Sequence, residues 1–266
     1  MTPASRFVDI AWRGAPLRIE YRWVGPGPAQ APTLVFLHEG LGSTAMWKDF
    51  PQRLCEHAGV RGLVFSRYGY GQSTPRPPEE RWPVEFMHQQ AFEVLPVLFD
   101  ALQVRRPWLF GHSDGGSIAL LHASRFAVAG VIAVAAHIFT EEFGLASIAA
   151  ARTAYETTDL RARLARYHAD VDSAFRGWNE VWLDPAFRAW NIEAELDTIT
   201  CPLLVVQGED DEYGTLAQVH GIVRHVPHAQ ALVLPRCGHS PHRDQPDRLI
   251  ESVSAFVRAG GAGKAI

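Results

Sequence analysis

Pro107-Trp108-Leu109-Phe110-Gly111 runs without a break into His112-Ser113-Asp114-Gly115-Gly116, and these ten residues decide the fold. The first five form a short continuous apolar run, the pattern of a strand covered on both faces. Gly115–Phe126 behind them reads as a helix. Working outward, further buried strands are predicted at Thr33–His38, Leu63–Ser66, Val131–Ala136, Pro202–Gln207 and Ala231–Leu234. Between them lie helical stretches at Met46–His57, Pro83–Leu102 (with a kink expected at Pro96), Thr215–Val226 and Pro246–Arg258. Buried strands alternating with helices specify an α/β fold, a mostly parallel sheet wrapped on both faces.

Two segments at the start, Phe7–Arg13 and Leu17–Val24, read as a hairpin turning at Gly14-Ala15-Pro16, an antiparallel edge. In the second, Leu17, Ile19 and Tyr21 alternate with Arg18, Glu20 and Arg22. Gly25–Pro32 reads as a loop and Ala259–Ala265 as a frayed end. One interval, Thr140–Thr200, holds no buried strand. It is far too long for a structureless loop in a compact domain, so a helical insertion over one end of the sheet is expected. The chain thus divides into a core, 1–139, the insertion, 140–200, and the rest of the core, 201–266.

The 266 residues are 47% hydrophobic and 20% charged, which argues against disorder and coiled coil. A net charge of −4 without a long basic run gives no nucleic-acid footprint. The longest apolar stretch, Phe126–Phe139, is broken by Gly130 and His137 and falls short of the roughly 20 residues of a membrane span. MTPASRFVDI has no apolar signal-peptide core. Three widely spaced cysteines, Cys55, Cys201 and Cys237, suggest neither a disulfide framework nor a zinc ribbon. The expectation is a cytoplasmic protein with reduced thiols, acting on a small molecule, with no nucleic-acid or membrane partner. Its oligomeric state stays open between monomer and homodimer.

Gly111-His112-Ser113-Asp114-Gly115 matches G-x-S-x-G, and its strand-before, helix-after context is what a nucleophile elbow requires. There a serine projects from the carboxyl end of a strand, and the N–H of Asp114 at the helix start can face a developing oxyanion. Serine needs a base at neutral pH. In this architecture the order along the chain is serine, acid, histidine. The acid is expected after the next-to-last buried strand, where Gly208-Glu209-Asp210-Asp211-Glu212 stands, and the histidine after the last, at Gly238-His239-Ser240-Pro241-His242. Asp211 fits the G-x-x-D spacing, with Asp210 as fallback; His239 follows a glycine that permits a sharp loop, with His242 as alternative. Asp210 and Glu212 are expected to face solvent, and His112 to serve a structural role. No H-E-x-x-H or cysteine pair supports a metal site, so no metal is expected.

At these motifs the chain resembles the α/β-hydrolase superfamily, in its lactonase, carboxylesterase and C–C hydrolase branch (3-oxoadipate enol-lactonase-like). The likeness runs from about Phe7 to Arg258. Tyr68-Gly69-Tyr70-Gly71-Gln72-Ser73 resembles the G-x-G-x-S loop of that family, and His38-Glu39-Gly40-Leu41-Gly42-Ser43 its H-G-x oxyanion loop. The resemblance implies that Gly40 N–H is the second oxyanion donor beside Asp114, and that 140–200 is a helical cap. Glu39 departs from the family's glycine; the residues leave it either turned outward or in contact with substrate or water. In the cap, Trp178, Trp182 and Trp190 either anchor it or line an apolar pocket.

Together, motifs and resemblance point to a cofactor-free Ser113–His239–Asp211 hydrolase acting through an acyl-enzyme on an ester, lactone or thioester of a small apolar or aromatic substrate. Two alternatives stand beside it. One is a C–C bond hydrolase of the meta-cleavage type, using Arg67, Arg152 or Arg188 for a carboxylate. The other is a ligand-binding member of the fold without turnover. A haloalkane dehalogenase is disfavoured because position 113 is Ser.

Overall fold

The computed structural model describes residues 5–27 and 31–260. The Gly25–Pro32 loop lies partly, and the Ala259–Ala265 tail mostly, outside the described residues. Among the described residues eight strands form one sheet: β1 (Arg6–Trp12), β2 (Ala15–Val24), β3 (Thr33–Leu37), β4 (Arg61–Phe65), β5 (Trp108–His112), β6 (Gly130–Val134), β7 (Leu203–Gly208) and β8 (Gln230–Leu234), in the order β1-β2-β4-β3-β5-β6-β7-β8. Antiparallel pairing is confined to β1–β2 and β2–β4; from β4 to β8 all pairs are parallel.

The apolar runs are continuous because alternate residues serve opposite faces. Val35, Leu37, Leu109, Val131 and Val205 pack into one core with α2 (Phe86–Gln89), α3 (Leu95–Ala101), α4 (Asp114–Arg125) and α9 (Ala217–His225). Leu34, Phe36, Phe110, Ile132 and Val206 face α1 (Phe50–Ala58) and α11 (Pro246–Arg258). The parallel strands all end at the same edge, so the loops after β3, β4, β5, β7 and β8 meet there.

Local chemistry moves several boundaries. The hairpin turns at Arg13-Gly14, not at Gly14-Ala15-Pro16; both residues have positive φ, 50° and 78°, and Trp12 already pairs with Ala15. A two-residue turn of that twist suits the strands better than a longer one. Helix α1 starts at Phe50 rather than Met46, because Pro51 is tolerated only in a first turn. The expected kink at Pro96 is a π turn, Gln90–Val94, between α2 and α3. Pro96 has no N–H for the carbonyl four residues back, and the chain widens just before it.

Glu20 and Arg22 of β2, placed on the outer face by alternation, are only 4% and 5% exposed. The 66–74 loop covers Glu20, which accepts Ser66 Oγ and Gln72 N–H at 2.7 and 2.9 Å, and Arg22 donates to Lys48 O at 3.0 Å.

Residues 140–200 carry α5 (Glu142–Thr157), α6 (Leu160–Leu164), α7 (Val171–Trp182), a 3-10 turn (Pro185–Ala189) and α8 (Glu193–Leu196). The segment leaves and re-enters at one place: Phe139 and Asn191 form an antiparallel bridge, flanked by Thr140 N–H to Trp190 O at 3.2 Å and Ile192 N–H to Ile138 O at 2.7 Å. Then come α10 (Pro241–Asp244) and α11. Among the described residues no helix is long and apolar enough to cross a membrane, and Cys55, Cys201 and Cys237 are free.

Candidate active site

β5 ends at His112 and α4 begins at Asp114, so Ser113 alone makes the turn. It does so at φ 54°, ψ −122°, a strained conformation for a residue with a side chain. The flanking glycines are demanded by contact: a Cβ on Gly111 would lie 2.1 Å from Gly115 O, and one on Gly115 2.1 Å from Leu37 O. Ser113 N–H is held by Val134 O at 2.9 Å. Its side chain borders a cavity of about 250 Å³ at the carboxyl edge of the sheet.

His239, on the loop after β8, borders the same cavity. Its Nδ1 donates to Asp211 Oδ1 and Oδ2 at 2.8 and 3.0 Å. Asp211 also accepts Gln207 Nε2 at 2.7 Å and Tyr213 N–H at 2.8 Å. Burial alone pushes the Asp211 carboxyl up, but His239, the Tyr213 N–H and His137 outweigh it and hold it below its usual 3.8. Nε2 is left as the free ring nitrogen of His239. No hydrogen bond joins it to Ser113 Oγ among the described residues; such bonds often close only around substrate.

The backbone of His239 is fixed from both sides: its N–H donates to Glu212 Oε2 at 3.1 Å, and its carbonyl accepts His112 Nε2 at 2.7 Å. Glu212 therefore does more than face solvent, and His112 has the structural role expected of it. Asp210 is exposed, and His242 is buried against Trp47 and His112, ring centroids 4.9 and 4.8 Å away.

Asp211 yields a stability prediction. Its depressed carboxyl contributes stability that is fully present above pH 3.8 and is lost as pH falls through the lower folded value. Urea unfolding of Asp211→Asn should show a shallower loss of stability below about pH 4 than the wild type. Equal slopes would mean that the Asp211 carboxyl titrates alike in the folded and unfolded chain and is not depressed by its partners.

Gly40 and Asp114 both line the cavity, and neither backbone N–H has an acceptor among the described residues. A Cβ on Gly40 would lie 2.2 Å from the Trp178 ring, so this position admits no side chain. Glu39 is not turned outward. Its side chain is 16% exposed, 3.3 Å from Arg243 Nη2 and 3.5 Å from His112 Nδ1. Burial works against its ionisation, but His112, Arg243 and His242 carry it well below the usual carboxylate range. The sequence reading missed Arg243; its place two residues past Pro241, in the short helix after the histidine loop, was the available signal.

Trp178 and Trp182, four apart on α7, both line the cavity with Leu41, Met46, Ile148 and Leu164. Trp190 does not. It stacks on Phe187 at 5.3 Å and borders a separate cleft with Phe139 and Arg188, because the chain has left α7 and turned away. The three arginines expected to be available for a carboxylate are engaged elsewhere. Arg67 is 2% exposed beside Asp114, Arg152 donates to Asn179 Oδ1 at 2.6 Å, and Arg188 pairs with Glu142. Among the described residues no group of His, Cys, Asp and Glu is arranged to hold a metal ion.

Comparison with known proteins places most of the chain in one family. The alpha/beta hydrolase family model matches residues 34–252. RutD of Stutzerimonas stutzeri (strain A1501), described as a putative carbamate hydrolase, is 30% identical over 251 residues, covering 84% of this chain and 90% of that protein. The 2-hydroxy-6-oxo-6-phenylhexa-2,4-dienoate hydrolase of Burkholderia cepacia is 24% identical over 286 residues, covering 96% of this chain and 97% of its own. Among solved structures, the enol-lactonase from Burkholderia xenovorans LB400 superposes with a TM-score of 0.72 at 21% identity, over 94% of this chain and 99% of that one. At that identity the likeness speaks to the fold.

Proposed function

The chain belongs to the alpha/beta hydrolase family, and from that membership we propose that it is a cofactor-free serine hydrolase of small carboxylic esters, lactones or thioesters. The observation that carries this reading is the pairing of His239 with buried Asp211, at 2.8 Å, beside the cavity that Ser113 borders. His239 takes the Ser113 proton as the hydroxyl attacks the acyl carbon, and Asp211 stabilises the imidazolium that forms. The N–H groups of Gly40 and Asp114 receive the oxyanion. His239 returns the proton to the leaving group and then activates water to release the acid.

Residues 140–200 act as a cap over a core made of 1–139 and 201–266, with α7 as the wall of the acyl site. A cavity of about 250 Å³ suits a small acyl group, being below the roughly 300–1,000 Å³ of drug-sized sites. Arg67, Arg152 and Arg188 do not line the cavity, so in the carbon–carbon cleavage alternative a substrate carboxylate would have to meet Arg243, which does.

The test is a panel of p-nitrophenyl esters, lactones and acyl thioesters, followed for burst and steady-state rates, with mass analysis after a fluorophosphonate. One equivalent on Ser113, absent from Ser113→Ala, is the expected result; labelling elsewhere would sink the proposal.

Selectivity should divide the tryptophans. Trp178→Ala or Trp182→Ala is expected to shift relative kcat/KM between short and long acyl groups by roughly 10–200-fold. Trp190→Ala should leave that ratio unchanged and instead cost about 3–5 kcal/mol of stability, read as a fall in Tm. Unchanged selectivity in both α7 variants would reduce those rings to packing residues.

A further inference from the structure

The side chain of Arg67 stands on the loop after β4, fully buried, and is absent from the proposed chemistry. Burying a guanidinium is costly, and an apolar residue of similar volume would often serve stability equally well. Its contacts account for it. Arg67 Nη2 donates to the Glu39 carbonyl at 2.9 Å. The same oxygen accepts His38 Nδ1 at 2.7 Å and Gly42 N–H at 3.0 Å. Three donors thus converge on one carbonyl. The Glu39 carbonyl and the Gly40 N–H belong to one peptide plane, and in a trans peptide they point in opposite directions. Anchoring the oxygen therefore aims the Gly40 N–H the other way.

The need for an anchor is local. Position 40 admits no side chain against Trp178. A glycine leaves the adjoining peptide freer to rotate than any other residue would. A rotated peptide would turn a carbonyl toward the place where negative charge develops.

The tautomer of His38 is fixed by its partners. Nε2 accepts the Arg67 N–H at 2.9 Å, so the ring proton is on Nδ1, the atom facing the Glu39 carbonyl. Burial and the nearby Arg67 charge keep the ring neutral, well below its ordinary pKa. The same Arg67 Nη2 is 3.6 Å from Asp114 Oδ2, and Asp114 Oδ1 accepts Trp182 Nε1 at 3.1 Å. One guanidinium donates to the peptide that carries the Gly40 N–H and stands 3.6 Å from the carboxylate of Asp114.

We propose that Arg67 and His38 are positioning residues that aim the Gly40 N–H and tie it to Asp114, so that the oxyanion hole is set before substrate arrives. This rests on the serine-hydrolase reading above, and the experiment separates the two. Wild-type enzyme is first titrated to completion with a fluorophosphonate. Failure to label Ser113 overturns the hydrolase reading, and this proposal with it.

With labelling established, Arg67→Met, Arg67→Lys, His38→Phe and His38→Asn are compared on p-nitrophenyl acetate per titrated site. Inhibition is measured with a trifluoromethyl ketone, which forms a tetrahedral oxyanion adduct, and with the matching methyl ketone, which does not. Arg67→Met and His38→Phe are expected to lower kcat about 10²-fold with KM within about threefold. They should weaken the trifluoromethyl ketone by the same factor and leave the methyl ketone unaffected. His38→Asn, whose amide keeps a donor near the Nδ1 position, should restore most of the activity. Arg67→Lys, which keeps the charge on a shorter side chain, should fall between.

If Arg67→Met does not fold, the two His38 variants decide. Variants that lose titratable sites but keep kcat per site and the ratio of the two ketones would overturn the proposal and leave Arg67 and His38 as fold-stabilising residues.

Discussion

Ser113→Ala and His239→Ala are each expected to lower kcat by about 10⁶-fold, while His242→Ala keeps turnover per folded molecule within about tenfold. Serine and base act as a unit, so removing either costs nearly as much as removing both. His239 is the proposed base because its Nδ1 is held by Asp211 at 2.8 Å and its ring borders the cavity. His242 lies behind it. Burial and the neighbouring His112 hold it well below its ordinary pKa, and its contacts are rings, Trp47 and Phe50 among them. Its alanine variant should therefore show its effect in Tm. Rates of all three variants, corrected for folded fraction, check the assignment; a dead His242→Ala beside an active His239→Ala would reverse it.

The second large effect is expected at the acid. Asp211→Asn should lower kcat by about 10⁴-fold, since an amide favours the wrong tautomer of His239 and no longer stabilises its charged form. Asp210→Asn should change it by less than about threefold, because Asp210 is exposed and contacts Cys237 O through its backbone N–H alone. Comparable losses at both positions would mean that field strength, rather than the Asp211–His239 bond, carries the effect.

The readable parts of this chain are those in which local pattern and tertiary role coincide. β3, β5, β6 and β7 are apolar throughout because both faces are covered, and Ser113 stands at a turn that only Gly111 and Gly115 allow. The acid and histidine loops were legible from their ordinal place after β7 and β8. What was not legible depends on partners distant in sequence. Arg67 resembles a surface arginine until Asp114 and the Glu39 carbonyl are brought to it. Glu39 needed Arg243, from the far end of the chain, to show where it turns. Trp190 shares composition with Trp178 and Trp182 but lies beyond the end of their helix. One signal was present: Arg67 follows the buried strand β4 at the same carboxyl edge where Ser113 follows β5.

The bridge between Phe139 and Asn191 brings the two ends of the intervening segment side by side. Closing a loop costs an entropy that grows only as the logarithm of its length. Because the junction is already stitched by backbone bonds, the length of chain that departs there costs the sheet little, whereas its side chains matter, since Ile148, Trp182 and Phe187 share the core built on Leu109 and Val205. Exchanging the segment at that seam would leave Ser113, Asp211 and His239 on their loops at the carboxyl edge, but the new segment would have to supply the cavity wall that Ile148, Leu164, Trp178 and Trp182 now form.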